Sequence, residues 1–121
     1  MTLPEADPPP VGRLCFEVLR KRADFLRAAR GRRVVTPGFI LQVLDRRDEG
    51  RMRVGFTCSK KVGNAVARNR AKRRLREIAR LELPGHGSAG VDYVLIGRRE
   101  VTASRNFAVM RADLRRALQS C

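Results

Sequence analysis

Apolar positions along this chain recur with two periods. From Arg13 to Arg30, Leu14, Val18, Phe25 and Ala29 stand near helical spacing among arginines and lysines, with Gly31 as a stop signal. That spacing predicts a helix whose clearest part is Arg22 to Arg30. Phe39-Ile40-Leu41-Gln42-Val43-Leu44 and Met52-Arg53-Val54-Gly55-Phe56-Thr57-Cys58 are instead β-rich runs, joined by residues 45–51 with the composition of a hairpin loop. The two runs are expected to pair antiparallel. A longer helix follows the Gly63-Asn64 turn, because Ala67, Ala71, Leu75, Ile78 and Ala79 collect on one narrow stripe at about 100° per residue. Pro84 to Gly90 reads as a loop, and Val91 to Gly97 as a strand too apolar to lie exposed on both faces. A last helix is expected from about Ser104 to Gln119, with Phe107, Met110, Leu114 and Leu118 towards the core.

Met1 to Val11 holds four of the six prolines and cannot make a regular element. Residues 1–12 are therefore expected to be a flexible lead-in and 13–121 a single domain. Helix, strand, strand, helix, strand, helix is the order of an α/β (α+β) two-layer sandwich, with helices laid against one sheet. No internal repeat interrupts it.

Polar positions on the long helix change this picture. Asn69, Lys72, Arg73, Arg76 and Arg80 fall at i, i+3, i+4, i+7 and i+11, forming a second stripe turned well away from the apolar one. Between Lys60 and Arg80 there are nine Lys or Arg against one Glu, a density that repels itself locally and calls for a polyanionic partner. Gly63-Asn64 offers a turn and an N-cap, which puts the positive end of the helix beside Lys60 and Lys61, where phosphate binds readily. Asn69 can donate and accept at once, which suits a base edge or a sugar hydroxyl.

Whole-chain charge points the same way. Lys and Arg total 27 against 12 Asp and Glu in 121 residues, a formal charge of +15, for which nucleic acid is the default partner. A membrane is the competing anion, but no apolar run approaches the roughly 20 residues of a spanning helix, and no signal-peptide order opens the chain. A cytoplasmic location is expected. Cys15, Cys58 and Cys121 are scattered and His86 is the one histidine, so the usual zinc spacings are missing and reduced thiols are expected, Cys58 as a small core residue.

Protein catalysis would need a positioned acid, base, nucleophile or metal. His86 falls in the Gly-rich loop, Asp45, Asp48 and Glu49 sit on the hairpin between arginines, and Glu77 and Glu82 read as partners of neighbouring arginines. No catalytic residue and no metal site is assigned to the chain. Two RNA- or DNA-binding classes fit charge and element order alone: a ribosomal-type structural RNA-binding protein, and a DNA-binding protein using the basic helix in a groove. The second would need dimer-forming heptads or another recognition element.

Lys60-Lys61-Val62-Gly63-Asn64-Ala65-Val66, then Arg68-Asn69-Arg70-Ala71-Lys72-Arg73 and Arg76-Glu77, closely resembles the signature of the protein subunit of bacterial ribonuclease P. Arg22-Ala23-Asp24-Phe25, Phe39-Ile40-Leu41, Arg53-Val54-Gly55-Phe56 and Asp92-Tyr93-Val94-Leu95-Ile96 fall in the right order, so the resemblance runs from about Leu19 to Leu118. It implies a mixed sheet with a left-handed crossover through the basic helix, against the usual hand. It also implies a partner: a catalytic RNA subunit that, with magnesium ions held mainly by the RNA and none by this chain, removes the 5′ leader of precursor tRNA by phosphodiester hydrolysis. No protein partner is required. The residues that resemblance carries to RNA docking are Lys60, Lys61, Asn64, Arg68, Asn69, Arg70, Lys72, Arg73 and Arg76, with Arg68 nearer the apolar stripe and partly structural. For the leader it implies a cleft between the first helix and the sheet, lined by Arg22, Phe25 and Arg53, with Arg27 and Arg30 nearby. Ala29 and Gln42 stand where relatives offer further aromatic surfaces.

Overall fold

Val91 to Gly97 is the strand that organises the sheet, and its first five residues are all buried. The computed structural model describes residues 16–120. In chain order it holds β1 (Phe16–Val18), α1 (Arg22–Ala28), β2 (Arg32–Val35), β3 (Phe39–Asp45) and β4 (Met52–Thr57), then a 3-10 turn (Lys60–Val62), α2 (Ala65–His86), β5 (Val91–Gly97), α3 (Val101–Ser104) and α4 (Phe107–Gln119). One five-stranded mixed sheet has the order β1-β4-β5-β3-β2. β1, β4 and β5 are parallel neighbours, whereas β3 runs antiparallel to both β5 and β2. β4 and β5 are joined through α2, so the basic helix is a crossover connection.

The expected β3–β4 hairpin does not form. β5 lies between them, with Leu41 opposite Leu95 on one side and Phe56 opposite Leu95 on the other. A strand this apolar gains most where both edges and both faces are covered, and that demand outweighs the short loop joining β3 to β4. Residues 46–51 instead cross the end of β5, held by Arg46 N–H to Gly90 O at 2.9 Å and Gly90 N–H to Gly50 O at 2.8 Å.

Four further expectations change. Phe16 to Val18 is a strand, not the front of a helix, because pairing with Met52 to Val54 buries Phe16 against the core. Arg32 to Val35 is an edge strand hidden from the sequence by its arginines, residues that suit an edge by discouraging further pairing. α2 continues through Pro84 to His86. The last helical region is broken into α3 and α4, the second capped by Asn106, whose Oδ1 accepts from Val109 N–H at 3.1 Å. The expected lead-in of residues 1–12, Cys15 and Cys121 lie outside the described residues.

Alternation splits the sheet's two faces. Phe39, Leu41, Val54, Phe56, Tyr93 and Leu95 point to one core with Leu75, Ile78, Ala79 and Leu83 of α2 and Met110, Leu114 and Leu118 of α4. Val94, Leu44 and Ile96 face the other way, where Leu19, Phe25 and Ala28 bring α1 against only part of the sheet. Gly55 sets how deep α1 can sit, since a Cβ there would come within 2.4 Å of the Phe25 ring. The rest of that face, including half-buried Ile40 and Gln42, is left beside α1 as an open flank.

Candidate nucleic-acid interface

The approach to α2 is built by three local devices. Ser59 Oγ accepts from Lys61 N–H at 3.3 Å and starts the 3-10 turn, whose buried Val62 pins it to the core. Gly63 then takes φ 147°, a conformation costly for any side chain. Asn64 caps α2, its Oδ1 accepting from Ala67 N–H at 2.9 Å. Asn64 therefore has a structural duty before any contact with RNA, and Lys60 and Lys61 stand exposed at the positive end of the helix.

Along α2 the two stripes separate as their spacing demands. Ala71, Leu75, Ile78 and Ala79 are buried, Ala67 half-buried at the rim, while Asn69, Arg70, Arg73, Arg76 and Arg80 are exposed and Arg68 and Lys72 half-buried. Arg80 pairs with Glu77. Among the described residues, the side chains of Lys60, Lys61, Asn69, Lys72, Arg73 and Arg76 make no hydrogen bond or ion pair within the chain.

Arg70 and Arg74 behave differently. Arg70 Nε donates to Ala103 O at 2.9 Å, and Arg74 Nε donates to Thr102 O at 3.0 Å while its Nη2 reaches Arg105 O. Together they tie the free carbonyls at the end of α3 to α2, which fixes the α3–α4 elbow. Arg74 was absent from the sequence-derived set. Burial, and then the neighbouring Arg70 charge, push its pKa below the usual guanidinium value. Its position between Ala71, Leu75 and Ile78, flanking the apolar stripe, was the available signal for a structural arginine.

On the sheet side, Arg22 is exposed at the first turn of α1 and Phe25 is half-buried over Gly55. Arg53 is spoken for: Nε and Nη2 donate to the two Asp92 carboxylate oxygens at 2.8 and 2.7 Å, and Nη2 lies 3.6 Å from Asp24. Arg46 also donates to Asp92, and Arg27 pairs with Asp24. Burial pushes the Asp92 carboxyl up, but the hydrogen bonds from Arg53 and Arg46 outweigh it and hold the group below the usual carboxylate range. Phe25 shares a hollow of about 340 Å³ with Leu19, Arg20, Lys72 and Arg76. The α2 stripe and the α1 aromatic thus meet in one concavity.

His86 ends α2 half-exposed, 3.7 Å from Glu82, and not in a loop. Cys58 is half-buried at the core edge, where burial raises its pKa against the pull of Lys72 and Arg76. Among the described residues no three His, Cys, Asp or Glu side chains gather to hold a metal ion, and no helix is long and apolar enough to cross a membrane.

Fold and surface together define a basic α+β protein of the nucleic-acid-binding class, with one helix face of unneutralised cations. A family model described as Ribonuclease P matches residues 16–121. A ribonuclease P protein component from Ruegeria pomeroyi is 59% identical, the match covering 92% of this chain and 94% of that one. One from Gluconacetobacter diazotrophicus is 54% identical, over 84% and 87%. The solved ribonuclease P proteins of Thermotoga maritima and Staphylococcus aureus superpose with TM-scores of 0.73 and 0.69 at 29% and 28% identity, covering 87% and 85% of this chain and 97% and 93% of theirs. The chain belongs to the ribonuclease P protein family, the protein components that work with the RNA subunit of the ribonucleoprotein that matures tRNA 5′ ends.

Proposed function

We propose that the outer stripe of α2, with Lys60 and Lys61 at its positive end, docks on the catalytic RNA, and that the hollow beside α1 holds the 5′ leader of precursor tRNA in the cytoplasm. The observation that carries this reading is the shared concavity of Phe25 with Lys72 and Arg76. A leader strand lying on Phe25 would continue directly onto cations that face the RNA subunit, so one chain tethers substrate and catalyst together. Stacking on Phe25 favours single-stranded leader, and exposed Arg22 at the start of α1 and exposed Arg30 just past its end offer phosphate contacts. Arg53 acts differently from the free cations: its fork on Asp92 holds the sheet end under α1 in place.

Magnesium fits the RNA better than this chain. Asp24, next to Phe25 in α1, and Asp92, joined to it through Arg53, are already matched by Arg27, Arg46 and Arg53, so these two carboxylates offer no free anionic donor set for a hard cation. When held by the RNA, the ions supply the activated water and stabilise charge on the cleaved phosphodiester. The chain's own residues bind, orient and neutralise.

The test is charge reversal at Arg73 and Arg76 together. The Arg73→Glu, Arg76→Glu protein is expected to melt as the wild type does, yet to assemble poorly with the catalytic RNA. The dependence of log affinity on log salt is expected to flatten by about one unit per lost phosphate contact. Normal assembly with an unchanged salt slope would remove α2 as the docking surface.

A further inference from the structure

Between α2 and the start of α4 lies a second hollow, of about 470 Å³, lined by Arg70, Arg73, Arg74, Glu77 and Phe107. Its size is within the roughly 300 to 1,000 Å³ of small-ligand sites. The four α2 residues follow i, i+3, i+4 and i+7, so they form one wall, and Phe107, the first residue of α4, faces them. Met110, Leu114 and Leu118 of the same helix are buried, whereas Phe107 is only half-buried, at the edge of the core. Its ring has the Arg74 guanidinium 5.7 Å from its centroid.

The wall is already set. Arg70 and Arg74 are held by the carbonyls of Ala103, Thr102 and Arg105, which makes them rigid sides of the hollow rather than searching cations. Arg73 is exposed and makes no ion pair among the described residues. Arg80 takes Glu77 through Oε1 with both Nε and Nη2, and no hydrogen bond among the described residues uses Oε2. One aromatic ring, one planar guanidinium beside it, one free cation and one carboxylate oxygen open to a donor are thus gathered in a single concavity.

We propose that this hollow takes one unstacked nucleotide of the RNA subunit. Its base lies against the Phe107 ring and the Arg74 plane, its phosphate meets Arg73, and an exocyclic amino group donates to Glu77 Oε2. The carboxylate favours adenine, cytosine or guanine, which carry an exocyclic amino group, over uracil, whose one ring donor, N3–H, lies between two carbonyl oxygens that a carboxylate repels. An aromatic face explains why a large ring stands at the helix start, and the cations explain the attraction of a nucleotide over an apolar ligand. The proposal rests on α2 being the RNA-docking surface, and adds an aromatic anchor on α4 to it.

Stacking and phosphate contact separate experimentally, because a stacked base releases no counterions. Full-length protein carrying Phe107→Leu or Phe107→Tyr is titrated with the catalytic RNA over a range of salt, alongside Arg73→Ala and the Arg73→Glu, Arg76→Glu double variant. Phe107→Leu is expected to weaken binding about five- to twentyfold with the salt slope unchanged, and Phe107→Tyr to bind as the wild type does. Arg73→Ala should lose slope as well as affinity. Chemical probing of the bound RNA should show one base, protected by wild type and Phe107→Tyr, that becomes reactive with Phe107→Leu while the remaining footprint persists; that footprint also certifies that the variant is folded. Wild-type affinity and footprint for Phe107→Leu, or equal losses for Phe107→Leu and Phe107→Tyr, would overturn the nucleotide site. Failure of the double variant to weaken binding would instead overturn the docking surface itself.

Discussion

Two populations of arginine divide this molecule. Around the sheet end and α4, arginines converge on buried carboxylates: Arg46 and Arg53 on Asp92, Arg111 and Arg115 on Glu82, Arg105 and Arg116 on Asp113. The Asp92 and Asp113 side chains are wholly removed from solvent, and Glu82 nearly so. Along the outer face of α2 the one carboxylate is Glu77, which takes Arg80 and leaves Arg73 and Arg76 in water. The formal charge of +15 is therefore not spread evenly. Where arginine meets a desolvated anion it holds the fold, and where it meets only water it is available to a polyanion.

Removing one member from each population should give opposite phenotypes. Asp92→Asn removes the buried anion that Arg46 and Arg53 share, leaving Arg46 only Asp48 and Arg53 only Asp24 at 3.6 Å, and breaking a buried pair from one side costs about 3 kcal/mol. Arg73→Ala should stay within about 0.5 kcal/mol of wild type, as surface changes do. Urea unfolding monitored by circular dichroism checks both. In RNA titrations the ranking reverses: Asp92→Asn, kept below its melting temperature, should retain the wild-type salt slope, and Arg73→Ala should lose about one unit of it. Equal stability losses in the two variants would erase the division.

Acid should dissolve one population first. Burial pushes both Asp92 and Glu82 up, yet the hydrogen bonds from Arg53 and Arg46 to the one and from Arg111 and Arg115 to the other leave them below the ordinary values of 3.8 and 4.5. Folded values lower than unfolded ones mean that the unfolded chain binds more protons in this window. Their stabilisation is thus complete above about pH 5 and drains away as pH falls through the lower folded values. The urea midpoint should hold from pH 7 to about 5 and drop below about 4, with a shallower drop in Asp92→Asn and in Glu82→Gln. Parallel acid limbs in wild type and both variants would show that other groups govern acid unfolding.

Legibility from sequence followed the same division. The two stripes of α2 were readable because helical periodicity places Leu75 and Arg73 on different faces whatever the partner. Asn64 could be named as a cap, and Glu77 and Glu82 as partners of arginines, though Arg111 and Arg115 are 29 and 33 residues away from Glu82. Strand pairing was not readable: β3 and β4 look like a hairpin locally, and only the burial needs of β5 place it between them. β1 and β2 were missed because three residues, or two arginines and two valines, carry too little pattern to outweigh their neighbours. The fork of Arg53 on Asp92 joins residues 39 apart in sequence, so an arginine carried to the leader by resemblance emerged as a clamp on the sheet.

The smallest effect expected concerns Ala29. It follows Ala28 at the end of α1 with φ −65° and ψ −19°, an ordinary right-handed conformation that accepts any side chain without strain. It lies four residues after Phe25, hence one turn along the same face, and is exposed. A ring there would extend the Phe25 surface along α1 without displacing anything buried. Ala29→Phe should leave stability within about 0.5 kcal/mol of wild type. If the leader lies along α1, one added stacked base contributes about 1 kcal/mol, the low end for an exposed platform, which is roughly a fivefold gain. The holoenzyme's affinity for precursor tRNA should rise by that factor while its affinity for mature tRNA stays fixed, and the gain should vanish when the leader is cut to one or two nucleotides. An equal gain for mature tRNA would mean a sticky surface rather than a leader site, and no gain with full-length leader would place the leader away from α1.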